Sequence, residues 1–317
     1  TGFCFAVLYV VIESWLNERS TNENRGFVFS AYTIINLTVL AVGQMMTLLY
    51  NPSGMQLFAI ASVLVSLAAV PIALSISPSP EVPHAAKVDL PKLLRISPTG
   101  ALGCFATGLA NGSFWSLVPV FTFSVTGNIA DAAGFMTAAV IGGALAQWPL
   151  GVTSDRIGRR PVLLAIAVLG AVSGLALVYF SKDVSVTGLF LLGAAWGALA
   201  FPLYAVSVAY TNDLADPDDY VTVSSSLLLV YGIGAIVGPF AASAAIYLSG
   251  GHMLFVFTAA THVLLLLFAL GRMVAPSGER NEEQIEFGDA LTAVQTASQV
   301  YEEEVWPQAE EDPKQGG

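Results

Sequence analysis

Charge is what this chain has least of. Across 317 residues only 11% are Asp, Glu, Lys or Arg, against roughly 25% in soluble domains. With 55% hydrophobic residues and a mean hydropathy of +0.69, it carries more apolar surface than a soluble fold of this length could bury. Cysteine is almost missing as well. Cys4 and Cys104 both lie inside apolar runs, without the spacing of a metal site or a redox pair, which leaves packing as their role. No zinc, haem or phosphate-loop pattern occurs, so no cofactor and no metal is expected. Paired carboxylates and nucleophile constellations are also lacking, which argues against an enzyme. The twelve Lys and Arg residues form no basic surface for nucleic acid. Even the net charge of −11 is concentrated at one end: from residue 276 to 317, eleven acidic residues meet only Arg280 and Lys314, leaving −2 for everything before them.

What the chain does have is long apolar runs. Segments at 1–16, 27–48, 55–77, 96–123, 132–150, 161–181, 186–210, 221–248 and 251–272 are of the length that spans a bilayer. They predict an all-α polytopic membrane protein with nine spans. Asn36-Leu-Thr and Asn111-Gly-Ser match a glycosylation acceptor but fall within these segments. The stretch from Ser77 to Arg95 holds four prolines and reads as a linker, with a short surface helix around Asp89 to Arg95. The organisation expected is therefore 1–77, a linker at 78–95, a six-helix unit at 96–275, and a tail at 276–317 whose composition defaults to disorder. Alternate loops, counted from the first, hold ten Lys and Arg residues, while the intervening loops hold only Lys182. By the positive-inside rule this puts the basic loops and the C-terminus in the cytoplasm.

The most basic of those loops is Gly151-Val-Thr-Ser-Asp155-Arg156-Ile-Gly158-Arg159-Arg160-Pro161, read as a tight charged turn between two spans. Its arginines and Gly158 suit a topology marker. Asp155 suits a helix end, where a carboxylate meets a helix dipole or a neighbouring arginine. With apolar flanks, G-x-x-x-D-R-x-G-R-R resembles the signature loop of the major facilitator superfamily of secondary transporters, matching at Gly151, Asp155, Arg156, Gly158, Arg159 and Arg160.

A weak internal repeat points the same way. Shifted by 195 residues, Asn17 falls on Asn212, Glu18 on Asp213, Val28 on Val223, Ser30 on Ser225, and Val42-Gly43 on Val237-Gly238, as in the parallel halves of such transporters. The resemblance then implies that the nine spans are family helices four to twelve of a twelve-helix fold, in a sequence truncated at its N-terminus. Glu13-Ser-Trp-Leu-Asn, the run from Gly143 to Gly151, Leu228 to Pro239 and Phe201-Pro-Leu-Tyr204 narrow the likeness to the bacterial inner-membrane YcaD-like branch.

The resemblance implies a solute cavity at mid-bilayer between two halves. Candidate lining residues recur at helical spacing: Tyr9 on the first span, Tyr32 and Asn36 on the second, Asn111 and Trp115 on the fourth. Gln147, Trp196, Tyr204 and Tyr231 follow on later spans. Core packing is as good an account of any single one; Asn111 and Trp115, near mid-helix, are preferred. Glu13, the one carboxylate inside an apolar run, is assigned to a cytoplasmic gate, with a structural ion pair to Arg25 as the alternative. His262 is read as packing. Paired small residues at Gly108/Gly112, Gly170/Gly174, Gly193/Gly197 and Gly234/Gly238 allow close helix approach. Gly234 and Gly238 with Pro239 resemble the family's antiporter motif.

In the outward-facing state, salt bridges at Asp155 and the dipole of the span at 221–248 are expected to hold the halves together. The function implied is secondary active transport of a small solute by alternating access, with protons as candidate coupling ion, in a monomer within the lipid bilayer of the bacterial inner membrane. A non-transporting receptor or scaffold on the same fold, docking through its acidic tail, is the alternative.

Overall fold

A computed structural model describes residues 25–46, 49–50, 54–74, 88–216 and 219–274, with isolated positions 8, 11, 12 and 16. The described residues are helical and contain no strand. Apolar chain in a bilayer must satisfy its own backbone hydrogen bonds, and a helix does so within one segment. The elements are α1 (Arg25–Met46), α2 (Gln56–Ala73), α3 (Leu90–Ile96), α4 (Pro98–Thr126), α5 (Asp131–Ile157), α6 (Arg159–Phe180), α7 (Val186–Ala200), α8 (Pro202–Asn212), α9 (Tyr220–Ser249) and α10 (Met253–Val274).

Five stretches of the described chain are long and apolar enough to cross a membrane: Asp131–Ile157, Arg159–Phe180, Val186–Asn212, Tyr220–Ser249 and Met253–Arg272. α4 has 29 residues, but Thr107, Asn111, Ser113 and Ser116 dilute its hydropathy. That polarity has a structural counterpart, because α4 sits at the centre and packs against α9, α10, α8 and α5. α5 pairs with α7, α6 with α10, and α1 lies along α5.

The helix ends follow local chemistry. Asp89 Oδ1 accepts the Lys92 backbone N–H at 2.8 Å to open α3. Ser97 closes α3, its N–H donating to the Leu93 carbonyl at 2.9 Å. The same Ser97 opens α4, its hydroxyl oxygen accepting from the Gly100 N–H at 3.1 Å. A short helix therefore does occupy the expected place in the linker. Lys92 pairs with Asp219, and the Asp89 N–H donates to Ser226 Oγ at 3.0 Å, so α3 is tied to the start of α9.

One sequence expectation is refined and one changes. The run at 186–210 holds as one span, Val186–Asn212, but it is interrupted at Phe201, where α7 gives way to α8 and Pro202 opens the second helix; proline supplies no N–H and so starts a helix more readily than it continues one. The charged turn from Gly151 to Pro161 is helix almost throughout. α5 runs on to Ile157, α6 begins at Arg159, and Gly158 alone separates them, with φ 97° and ψ 149°. That backbone suits glycine, which lacks a Cβ, so one residue turns the chain and the charged side chains on both sides are held in helical register.

Close seams join the helices. A Cβ on Gly108 would collide with the Tyr231 carbonyl oxygen, on Gly112 with that of Ala235, on Gly234 with that of Phe105 and on Gly238 with that of Leu109. The glycine pairs of α4 and α9 thus face each other, backbone against backbone. Below them lies an aromatic core of Phe114, Phe121, Phe135, Trp196 and Phe255.

Candidate functional site

The charged junction of α5 and α6 is built around Arg159. Its side chain is 2% exposed, and such a charge is tolerated only when paired and hydrogen-bonded. Nη1 donates to Ser154 Oγ at 2.7 Å and pairs with Asp155 Oδ1, four residues back across the Gly158 turn. Nε donates to Asp213 Oδ2 at 3.1 Å. Asp213 caps the end of α8, so one guanidinium joins the ends of three helices. Arg156 is exposed, Arg160 partly buried and Gly151 buried. The sequence reading centred this cluster on Asp155, whose side chain is 31% exposed, and overlooked Asp213. The usable signal was the four-aspartate stretch after Asn212, which the repeat had already aligned through Glu18. The expected meeting with the dipole of the 221–248 span is not seen. That span is α9, which packs on α4, α10, α8 and α3, whereas the described helix from before residue 78 that lies along α5 is α1.

A second cluster gathers on α4, α8 and α9. Tyr204 and Tyr231 stand with ring centroids 4.8 Å apart, and the Tyr231 hydroxyl faces the side chain of Asn111. Gly108, one turn before Asn111, fixes how near Tyr231 comes. One turn further along α4, Trp115 is stacked on Phe201 at 5.8 Å, 9° from parallel. Phe201 also meets Phe114 and Trp196 edge-on, at 5.6 and 5.9 Å, so this pair leans on the aromatic core, while Tyr204, three residues on, packs with Tyr231 in the neighbouring cluster. Asn111 is 6% exposed, and its Oδ1 is buried with no partner among the described residues. Of the sequence candidates, Asn111, Tyr204 and Tyr231 come together, and Trp115 lies one turn along α4 from Asn111, against Phe201.

Trp196 does not join them. It is fully buried, stacked on Phe114 at 4.7 Å and edge-on to Phe255 at 5.6 Å. It is a core residue because its ring is held between Phe114 of α4 and Phe255 of α10. Tyr32 and Asn36 are partly buried on α1 and Gln147 on α5; they belong to that separate helix pair. Tyr9 and Glu13 lie outside the described residues. Phe201 was missed as a site residue, although its proline neighbour marks the break that presents it.

A family profile, described as Major Facilitator Superfamily, matches residues 100–306. The chain belongs to this superfamily. Among curated proteins, this facilitator is 26% identical over 279 residues to an "Uncharacterized MFS-type transporter" of Yersinia pestis (strain Pestoides F), covering 85% of this chain and 69% of that one. A Yersinia enterocolitica protein of the same description is 28% identical over 275 residues, with the same coverage. An "Uncharacterized MFS-type transporter YcaD" of Escherichia fergusonii is 27% identical over 274 residues, again covering 85% and 69%. The resemblance read from the signature and its neighbours is thus shown, and with it a multi-pass membrane protein of transporter type.

Within the facilitator, Gly234 and Gly238 serve the seam with α4, and Pro239 is partly buried just beyond them. These contacts join neighbouring helices of one bundle, so the glycines are packing residues in this arrangement. His262 is also packed: it is 1% exposed, its Nδ1 lies 2.7 Å from the Thr258 carbonyl oxygen, and its ring fills the space opposite Gly170.

Proposed function

We propose that the protein is a secondary transporter that moves a small solute across the bacterial inner membrane by alternating access. The observation that carries this reading is the Asn111–Tyr204–Tyr231 cluster with Trp115 one turn along α4, polar and aromatic side chains contributed by three helices. Solute contact falls to these four residues and Phe201, with Tyr32, Asn36 and Gln147 lining the approach along α1 and α5. The organisation is a first unit to residue 77, a linker at 78–95, a six-helix unit at 96–275 and an acidic cytoplasmic tail. Protons are the candidate coupling ion, and the working unit is a monomer.

The Asp155–Arg159–Asp213 network sits at the cytoplasmic end, where the positive-inside count places it. It holds α5, α6 and α8 as one rigid edge on which α1 can dock and release. Contacts of about 1 kcal/mol each bias such a two-state balance roughly tenfold without locking it.

Alternation is tested with Gln147→Cys in right-side-out and inside-out vesicles, using a membrane-impermeant maleimide. Labelling from both faces is expected, each diminished when the other state is favoured. Labelling from one face under every condition would overturn the reading.

A further inference from the structure

Resting on the reading of the Asn111 cluster as a solute site, we infer that its ligand is a flat, uncharged aromatic molecule carrying an N–H or O–H donor. Three observations on separate atoms converge. The first is the unmet acceptor. The side chain of Asn111 faces Tyr231, and its Oδ1 is buried and partnerless among the described residues. A buried carbonyl oxygen left unpaired is costly, and a partner that supplies the missing donor recovers that cost. An acceptor-only ligand would leave Oδ1 as it is.

The second is shape. Tyr204 and Tyr231 are tilted 57° to one another at 4.8 Å, and Trp115 and Phe201 lie nearly parallel at 5.8 Å. All four rings are partly exposed, so each pair presents apolar faces that favour offset or edge contact with another ring. The third is charge. Among the described helices α4 to α10, Asp, Glu, Lys and Arg occur only in the end turns. An anion or cation bound at Asn111 would find no opposite charge from these helices, and the desolvation of the ion would go unrecovered.

The probe pair is indole and 1-methylindole, which differ in the one N–H, with indole-3-acetate as the charged control. Binding is measured by equilibrium dialysis against the protein in lipid nanodiscs. Indole is expected to bind about tenfold more tightly than 1-methylindole, the size of one hydrogen bond to a buried acceptor, and indole-3-acetate should not bind. Asn111→Leu should bring the two neutral probes to equal affinity, which separates site binding from partition into the same lipid. Equal affinity of the two in the parent protein, absence of binding by both, or preference for the anion would each overturn the inference. Since the maleimide test reports alternation without any solute, a negative dialysis result beside two-sided labelling removes this ligand class and leaves the transporter reading standing. One-sided labelling beside donor-selective binding does the reverse.

Discussion

Arg159 and Asp213 lie 54 residues apart in the chain and meet at 3.1 Å, Nε to Oδ2, at the junction of three helix ends. With Asp155 on its other side and Ser154 beside it, the buried guanidinium meets two carboxylates and a hydroxyl. Removing one member of a buried ionic group typically costs about 3–5 kcal/mol because the others are left uncompensated. Arg159→Gln is therefore expected to lower the thermal midpoint of the purified protein more than Asp155→Asn, since Asp155 is the most exposed member. Equal midpoints for the two variants would show that Arg159 is not the centre of the cluster.

Asp155→Asn should instead reveal itself in conformation. It weakens the edge on which α1 docks without emptying the buried site, so the inward-facing population is expected to rise. Alkylation of Gln147→Cys from the cytoplasmic face should then become several-fold faster, as a contact of about 1 kcal/mol permits. Unchanged rates from both faces would rule out the clasp.

The α4–α9 seam makes a contrast between two glycines on one helix. A Cβ on Gly238 would collide with the Leu109 carbonyl oxygen, whereas a Cβ on Gly232 meets nothing within 4 Å. Gly238→Ala should destabilise by about 1–3 kcal/mol through overpacking. Gly232→Ala should be neutral or stabilising by up to about 1 kcal/mol, since alanine is the better helix former. The check is the melting midpoint of each, read from intrinsic fluorescence, and a loss at Gly232 matching that at Gly238 would contradict the seam.

Two tryptophans that look alike in sequence should part ways. Trp196→Ala empties a fully buried site and is expected to cost about 3–5 kcal/mol. Trp115→Ala removes a partly exposed ring and should leave the midpoint nearly intact while weakening indole binding. Reversed effects would return Trp196 to the cavity and place Trp115 in the core.

The spans, the charged signature and the family were legible in the residues because each rests on local properties. A run of apolar side chains needs a helix to satisfy its backbone in lipid, and G-x-x-x-D-R-x-G-R-R states its spacing outright. Helix limits were blurred where a polar end continued an apolar run, as at Ile157 and Arg159, since hydropathy does not register a helix that outlasts its greasy part. Partnership was another matter. Nothing in the spacing of Trp115 and Trp196 tells which one faces the core, because both recur with polar residues at helical intervals, and only the meeting of Trp196 with Phe114 and Phe255 decides it. The same holds for Asp213, an acid in a run of acids until the fold carries it to Arg159, and for Asn111, whose oxygen is buried without a partner only once the helices have packed around it. Local chemistry determined what the chain is made of; long-range contact decided which of its polar atoms remain unspent.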